Sequence, residues 1–436
     1  MVKEERTGTG TYPIDAGGAV QFLTGVREQS PAILIDYRLR EPVDRERLRE
    51  AVRKALGIFP TFRVRLVLDG PERKPVYADN TAAAGIYPYD GKPHAFGRES
   101  SGYLFRVYYT DRRILLSVHH ILTDGIGAHA FLKAVLNFYF NIREGDPAEI
   151  RKLLPVDPED LRDPYAVYGD PDAQEITLQD KWRNELEIPN RMHYRKGEPA
   201  VVHKMAFPVY DFLKTAKRAE SSVFPLLTLL TGRAVAKVYD GEDKILTGSG
   251  AFNCRNMFHA RTPRSFSQTF RTVLDPREYS MDIQMQLTVQ RARMDIELQK
   301  ETIAKSIASR REKADRMLEN AERYVLDQES LDAARRADAR KSTYFLSYLG
   351  HFDAGDEIAP CIDSIDYFST VTRVPIVVNG FERNGILYLK TLEIGCENSI
   401  APAILGTASA YGLQGRMTDA FEICFDSFPM EELFDG

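Results

Sequence analysis

An α/β protein built from two units is the architecture this sequence predicts, and three observations predict it. The chain has 436 residues, too many for one ordinary core and suited to two domains of roughly 200 residues each. Apolar runs of strand length alternate with helical patterns from residue 33 onward. From Asn141 to about Ala200 the character turns proline-rich, acidic and irregular, as in Asp157-Pro-Glu-Asp160 and Gly169-Asp-Pro-Asp172, which marks a connection between domains. The expected division is therefore 1–170 and 171–436, with the linker at about 150–200 and a short helix around Trp182.

Composition narrows the function. With 43% hydrophobic and 28% charged residues the chain reads as a soluble globular protein. A net charge of -5 and a pI near 6.0 exclude the basic footprint of a nucleic-acid binder. The N-terminus lacks an apolar signal core and no later run approaches a membrane span, so a cytoplasmic protein is expected. Cys254, Cys361, Cys396 and Cys424 are scattered without CxxC spacing. They point to neither zinc nor a disulfide framework, and each is expected to act as a small buried hydrophobe.

The elements follow in order. Residues 1 to 30 are expected to cross the surface before the core begins, and Ile33 to Leu39 reads as a strand. Pro42-Val-Asp44 opens a helix whose Leu48, Val52, Ala55 and Leu56 form one apolar stripe, closed by Gly57. Pro60 to Arg65 is expected to be a further strand. Tyr103 to Tyr109 and Ile114 to His120 pair as a hairpin around Asp111-Arg112-Arg113. In the next helix, Ile126 to Phe140, the polar positions His129, Lys133 and Asn137 recur every four residues, which predicts a water-facing edge.

The second half predicts a strand at Val201 to Phe207, helices at Tyr210 to Arg218 and Val223 to Val238, and a strand at Ile245 to Gly250. Met281 to Lys341 reads as charged helix with solvated faces. Strands are expected at Tyr344 to Gly350, Arg373 to Val378 and Ile386 to Glu393, the last two flanking a turn from Asn379-Gly380 to Asn384-Gly385. A helix at Ala401 to Leu413 ends the pattern.

Chemistry concentrates at His119-His120-Ile121-Leu122-Thr123-Asp124-Gly125, where a buried strand gives way at once to a helix. Alternation sends the two imidazoles to opposite faces, which argues against a His-His metal pair and leaves one histidine free as a base. Asp124 stands where a helix N-cap belongs, and Gly125 gives room for a sharp turn.

This stretch resembles the HHxxxDG motif of the acyltransferase superfamily that includes chloramphenicol acetyltransferase, the condensation domains of nonribosomal peptide synthetases, and alcohol and polyketide-associated O-acyltransferases. Weaker likenesses support it. Pro60 to Arg65 is similar to the proline-arginine region after the first helix, Asn253 and Arg255 match the polar end of a second-lobe strand, and Ser347 and Gly350 match an SNxG strand end in which Tyr348 replaces asparagine. The DFGWG sequence of many members has no counterpart.

The resemblance implies two chloramphenicol acetyltransferase-like lobes, each a mixed sheet flanked by helices, with the active site in a tunnel between them. It implies His120 as general base, Asp124 as a structural residue that pairs with an arginine, and His119 and Gly125 in support. Ser347, Asn253 and Arg255 become candidates for the oxyanion or the substrate. The donor would be acyl-coenzyme A or a phosphopantetheine thioester on an acyl carrier protein, and the acceptor a hydroxyl or amine of a small molecule. No permanently bound cofactor, metal or nucleic acid is expected, and a monomer would suffice. A stand-alone condensation enzyme and a non-catalytic carrier-binding module of the same fold stay open as alternatives.

Overall fold

The computed structural model describes residues 10–24, 32–71, 73–176, 199–319, 342–369, 374–394, 396 and 398–424. Trp182 and residues 320–341 lie outside them.

The first half builds around a five-stranded sheet in the order β12-β2-β7-β6-β5. Its early strands are β2 (Ala32–Leu39), β5 (Ile86–Pro88), β6 (Phe105–Tyr109) and β7 (Arg113–His119). The β6–β7 hairpin forms as the sequence predicts. The strand that ends at His119 is central, paired with β2 on one side and β6 on the other. On one face lie α2 (Arg45–Ile58) and α3 (Gly125–Tyr139). The predicted stripe of α2 is buried, and Asp44 caps the helix by accepting from the Arg47 amide. Gly57 lies inside this helix, which runs one residue further. Phe131 of α3 stacks on Phe62 at 4.2 Å and meets Phe105 edge-on at 5.1 Å, which locks α3 to the sheet.

The second half forms a seven-stranded sheet in the order β10-β9-β11-β13-β14-β8-β15. These strands are β8 (Ala200–Pro208), β9 (Leu246–Asn253), β10 (Ser267–Leu274), β11 (Phe345–His351), β13 (Ile376–Arg383), β14 (Ile386–Glu393) and β15 (Arg416–Ile423). The almost wholly apolar α7 (Val223–Val238) packs in the core of its outer face with α6 (Val209–Arg218) and α11 (Ala401–Ala410). The two large sheets face each other through Leu34, Leu115 and Phe368 on one side and Val202, Val377 and Leu392 on the other. A small antiparallel sheet of β1 (Thr11–Pro13), β4 (Lys74–Asp79) and β3 (Val64–Asp69) lies to one side.

Two later segments return to the first half. Strand β12 (Ile362–Ser369) pairs with β2, and α10 (Lys300–Glu319) packs against α1 (Ala16–Thr24). Among the described residues no helix is long and apolar enough to cross a membrane.

Several local expectations are corrected. Residues 14–20 are buried, Ala19 and Val20 in the core, because Gly18 lets α1 settle against the Ile121 carbonyl. Pro60–Phe62 is a 3₁₀ turn and the strand starts at Val64, since proline fixes a helical φ there. Asn379 and Gly380 lie inside β13, and the turn is Asn384-Gly385 alone, both at positive φ. The supposed water-facing edge of α3 is covered. His129 stacks on Phe352 at 3.8 Å and meets the Tyr37 hydroxyl at 2.5 Å, while Lys133 pairs with Asp353. A segment far away in sequence supplied that cover. Cys254 is buried, but Cys424 is exposed.

Candidate functional site

The site is built where β7 stops. His119 is the last strand residue and is 1% exposed. Its Nδ1 accepts from the Ile121 amide at 3.0 Å, and its ring meets Phe96 edge-on. Burial, helped by His120, pushes its pKa down to about 3. This ring is neutral and holds the turn.

His120 comes one residue later, outside the ladder and only partly buried. Burial lowers its pKa and Arg310 of α10 pushes the same way, against main-chain groups of His120 itself and Thr123 and the charge of Asp124. Its buried Nδ1 has no hydrogen bond among the described residues. A neutral imidazole at the lip of a sheet can accept a proton near neutral pH.

Asp124 fixes the turn in three ways. It caps α3 by accepting from the Ile126 and Gly127 amides, both at 3.1 Å. It accepts the Phe266 amide at 2.8 Å. It takes a two-pronged ion pair from Arg255, at 2.8 and 3.0 Å. Burial would raise the carboxyl, but Arg255 and the two kinds of amide bond outweigh it and hold the pKa below the usual carboxylate range.

Arg255 sits at the start of α8 (Arg255–Phe258) and is itself 4% exposed. Its remaining hydrogens go to the carbonyls of Thr262 and Arg264 and to Asn253 Oδ1. The guanidinium is thus fully committed to the motif turn, with no hydrogen left over for a substrate. Asn253 Oδ1 also accepts the Arg255 amide at 3.1 Å, so this side chain braces the arginine.

Gly125 needs its missing side chain for a different reason from the one expected. Its φ is ordinary, but a Cβ would come within 3.0 Å of the Tyr367 hydroxyl and 3.3 Å of Leu349. Close approach explains this glycine. Gly127 is tighter still, with a Cβ position 2.1 Å from the Pro263 carbonyl, which also accepts the Thr123 hydroxyl at 2.6 Å. Ser347, on β11, is buried. It shares the strand face of Phe345, which packs into the layer between the two sheets.

Comparison with known structures decides the fold. The chain matches the crystal structure of F. sporotrichioides TRI101 complexed with coenzyme A and T-2, with a TM-score of 0.59 at 11% identity over 93% of this chain and 99% of that one. It matches polyketide synthase associated protein 5 from Mycobacterium tuberculosis with a TM-score of 0.55 at 13% identity, covering 91% and 97%. The epimerization domain from the third module of tyrocidine synthetase B gives 0.56 at 14% identity, covering 94% and 97%. The chain shares the two-lobed fold of these structures. No protein-family model matches the sequence, and no curated protein does.

Within this fold two further groups bear on the motif and a third is buried at the start of α1, and none was singled out from the sequence. Tyr367 of β12 presses its hydroxyl on Gly125. Arg310 bears on His120 and is anchored to the Ser267 carbonyl at 3.0 Å. Asp15 is buried at the N-terminus of α1, pairs with Arg264 at 3.5 Å and accepts the Gly18 amide at 2.8 Å. Burial carries its pKa up to about 7 against the pull of Arg264. The one sequence signal for this crowding was the glycine pairs Gly17-Gly18 and Gly125-Ile-Gly127. Among the described residues no cluster of three or more His, Cys, Asp or Glu could hold a metal.

Proposed function

We propose that this protein transfers an acyl group from a thioester, acyl-coenzyme A or acyl-phosphopantetheine, to a hydroxyl or amine of a small molecule. The observation that carries the reading is His120: a partly buried imidazole held neutral just past the central strand, on a turn whose aspartate is locked by Arg255. His120 takes the acceptor proton as the acceptor attacks the thioester carbonyl. The tetrahedral oxyanion then collapses, and the thiol leaves with the proton returned by the imidazolium. Ser347 supplies a hydrogen-bond donor to the oxyanion. Asp124, Arg255, Asn253 and His119 hold the turn and do not touch the reacting atoms.

Coenzyme A is the favoured donor, because TRI101 structures of the same fold carry it. The carrier-bound donor is the second reading, supported by the likeness to a condensation domain named for chain release from a polyketide synthase. The test is free-thiol release from acetyl-, butyryl- and longer acyl-coenzyme A with a panel of alcohols and amines. Acceptor-dependent release should fall about 10² to 10⁴-fold in His120→Ala. Equal release by both proteins removes His120 from the mechanism.

A further inference from the structure

The edge of the second sheet brings an arginine to the motif that the acyl-transfer reading has not used. β10 is an edge strand, and Ser306 and Arg310, one turn apart on α10, both reach its start. The Ser306 hydroxyl donates to Gln268 Oε1 at 3.4 Å, and Arg310 Nη1 donates to the Ser267 carbonyl at 3.0 Å.

Ser267 stands opposite Asn253 in the β9–β10 ladder, so these two side chains and Thr269 share one face of the sheet. That face is turned to the motif. Asn253 Oδ1 bonds Arg255, whose fork holds Asp124, and Phe266, one residue before Ser267, donates its amide to Asp124. Arg310 Nη2 leans over this face toward Thr269 Oγ1, 3.5 Å away. A second route of contact closes on the same place. Nη1 lies 3.5 Å from the Tyr165 hydroxyl, the Tyr165 ring abuts Gly17, and Gly18 meets the carbonyl of Ile121, the residue after His120.

Every acceptor that holds Arg310 is neutral, and its Nε has no hydrogen bond among the described residues. Arg255, Arg113 and Arg293 each meet a carboxylate instead. The Arg310 side chain is only partly buried, and its Nε–Nη2 edge presents two parallel donors of the kind that matches a carboxylate. Beside it Gln268 is 1% exposed, and its Nε2 has no partner among the described residues. A polar group buried in this way is costly until a ligand or water completes it.

We infer that the acceptor carries a carboxylate, as a hydroxy acid or an amino acid does, and that Arg310 binds it on the Nε–Nη2 edge with Gln268 as a further donor. This rests on the acyl-transfer reading. The anchored acid presents its hydroxyl or amine to His120. A bond forms from that oxygen or nitrogen to the acyl carbon, the carbon–sulfur bond breaks, and the acceptor proton leaves on the thiol. A phosphate of coenzyme A is another anion in the reaction, but it stands a whole pantetheine arm from the carbonyl that reacts at His120.

Paired acceptors test it: 2-hydroxy acids and amino acids against their methyl esters, with the acetyl group supplied by acetyl-coenzyme A or by S-acetyl-N-acetylcysteamine, which has no phosphate. The native chain should use the acids at a kcat/KM about 10²-fold above the esters. Arg310→Gln should erase that preference with either donor by raising KM for the acids about 10²-fold, and Gln268→Leu should raise it about 10-fold. Phenylglyoxal labelling of arginines, read by peptide mass, needs no turnover: the acids should protect Arg310 and the esters should not.

Esters used as well as acids, or Arg310 labelled equally with both, would overturn this inference, and His120-dependent release would then leave acyl transfer standing without it. A loss in Arg310→Gln confined to the coenzyme A donor would assign the guanidinium to the donor's phosphates and overturn it too. Release indifferent to His120→Ala removes the acyl-transfer reading and this inference together.

Discussion

Two ionic clusters tie the halves of this molecule together, and they are built on opposite plans. At the motif, Asp124 and Arg255 are both buried, and every hydrogen of the guanidinium has a partner. Between the sheets, the ammoniums of Lys390 and Lys204 face Asp366 and Asp419, beside a separate Arg113 fork on Asp36. Lys204 meets Asp366 at 2.5 Å and Asp419 at 3.7 Å, and all three of these side chains keep some water. The first cluster specifies one geometry of one turn. The second sets two ammoniums against two carboxylates, with Asp366 shared between them. A planar fork with five donors can impose orientation, whereas an ammonium supplies charge and little direction.

The largest expected effect breaks the first plan. Arg255→Ala leaves Asp124 as a buried carboxylate with only amides for company, and should cost about 3 to 5 kcal/mol of stability. Arg255→Lys should recover little of that, because one ammonium cannot reach Asp124, Asn253 and two carbonyls at once. Urea unfolding measures both. Full rescue by lysine would show that charge alone, and not the fork, holds the turn.

A smaller effect sharpens the same contrast through pH. The folded Asp124 pKa lies below its ordinary 3.8. Its contribution to stability is therefore fully present above about pH 4 and is lost as pH falls through the folded value. The stability gap between the native chain and Asp124→Asn should be constant from neutral pH down to about 4, then narrow in more acid solution. A gap that stays constant throughout the acid range would mean that the capping bonds carry the contribution and the charge none.

The contrast also explains what could be read from the sequence. Boundaries set by local pattern were legible: Val223 to Val238 and Ile386 to Glu393 are observed as expected. So was the motif turn, because capping chemistry and alternation act over a few residues. β12 was not, since Ile362 to Ser369 has polar residues on both faces and becomes a strand by pairing with β2, over three hundred residues earlier. His129 was misplaced for a related reason. Its four-residue polar period was real, but Tyr37 and Phe352 arrive from elsewhere to cover it. Tyr367 was invisible because topology alone carries it to the motif. Arg255 was identified as a candidate, yet its full commitment to Asp124 needed the fold.

The smallest effect tests the second plan. Lys390 is 2% exposed, and burial together with Lys204 drives it well below the ordinary lysine range against the pull of Asp36 and Asp419. Removing a cation usually strands its anion, but here Asp366 keeps Lys204 and is 23% exposed. The apolar neighbours are already present, with Phe368 and Phe381 rings 5.3 and 5.7 Å from the ammonium. Lys390→Met should therefore change stability by only about 1 kcal/mol, chiefly from losing the bond to the Tyr367 carbonyl. A loss of about 3 kcal/mol or more would place Lys390 with Arg255 as a directional anchor, and the two clusters would then differ in exposure but not in kind.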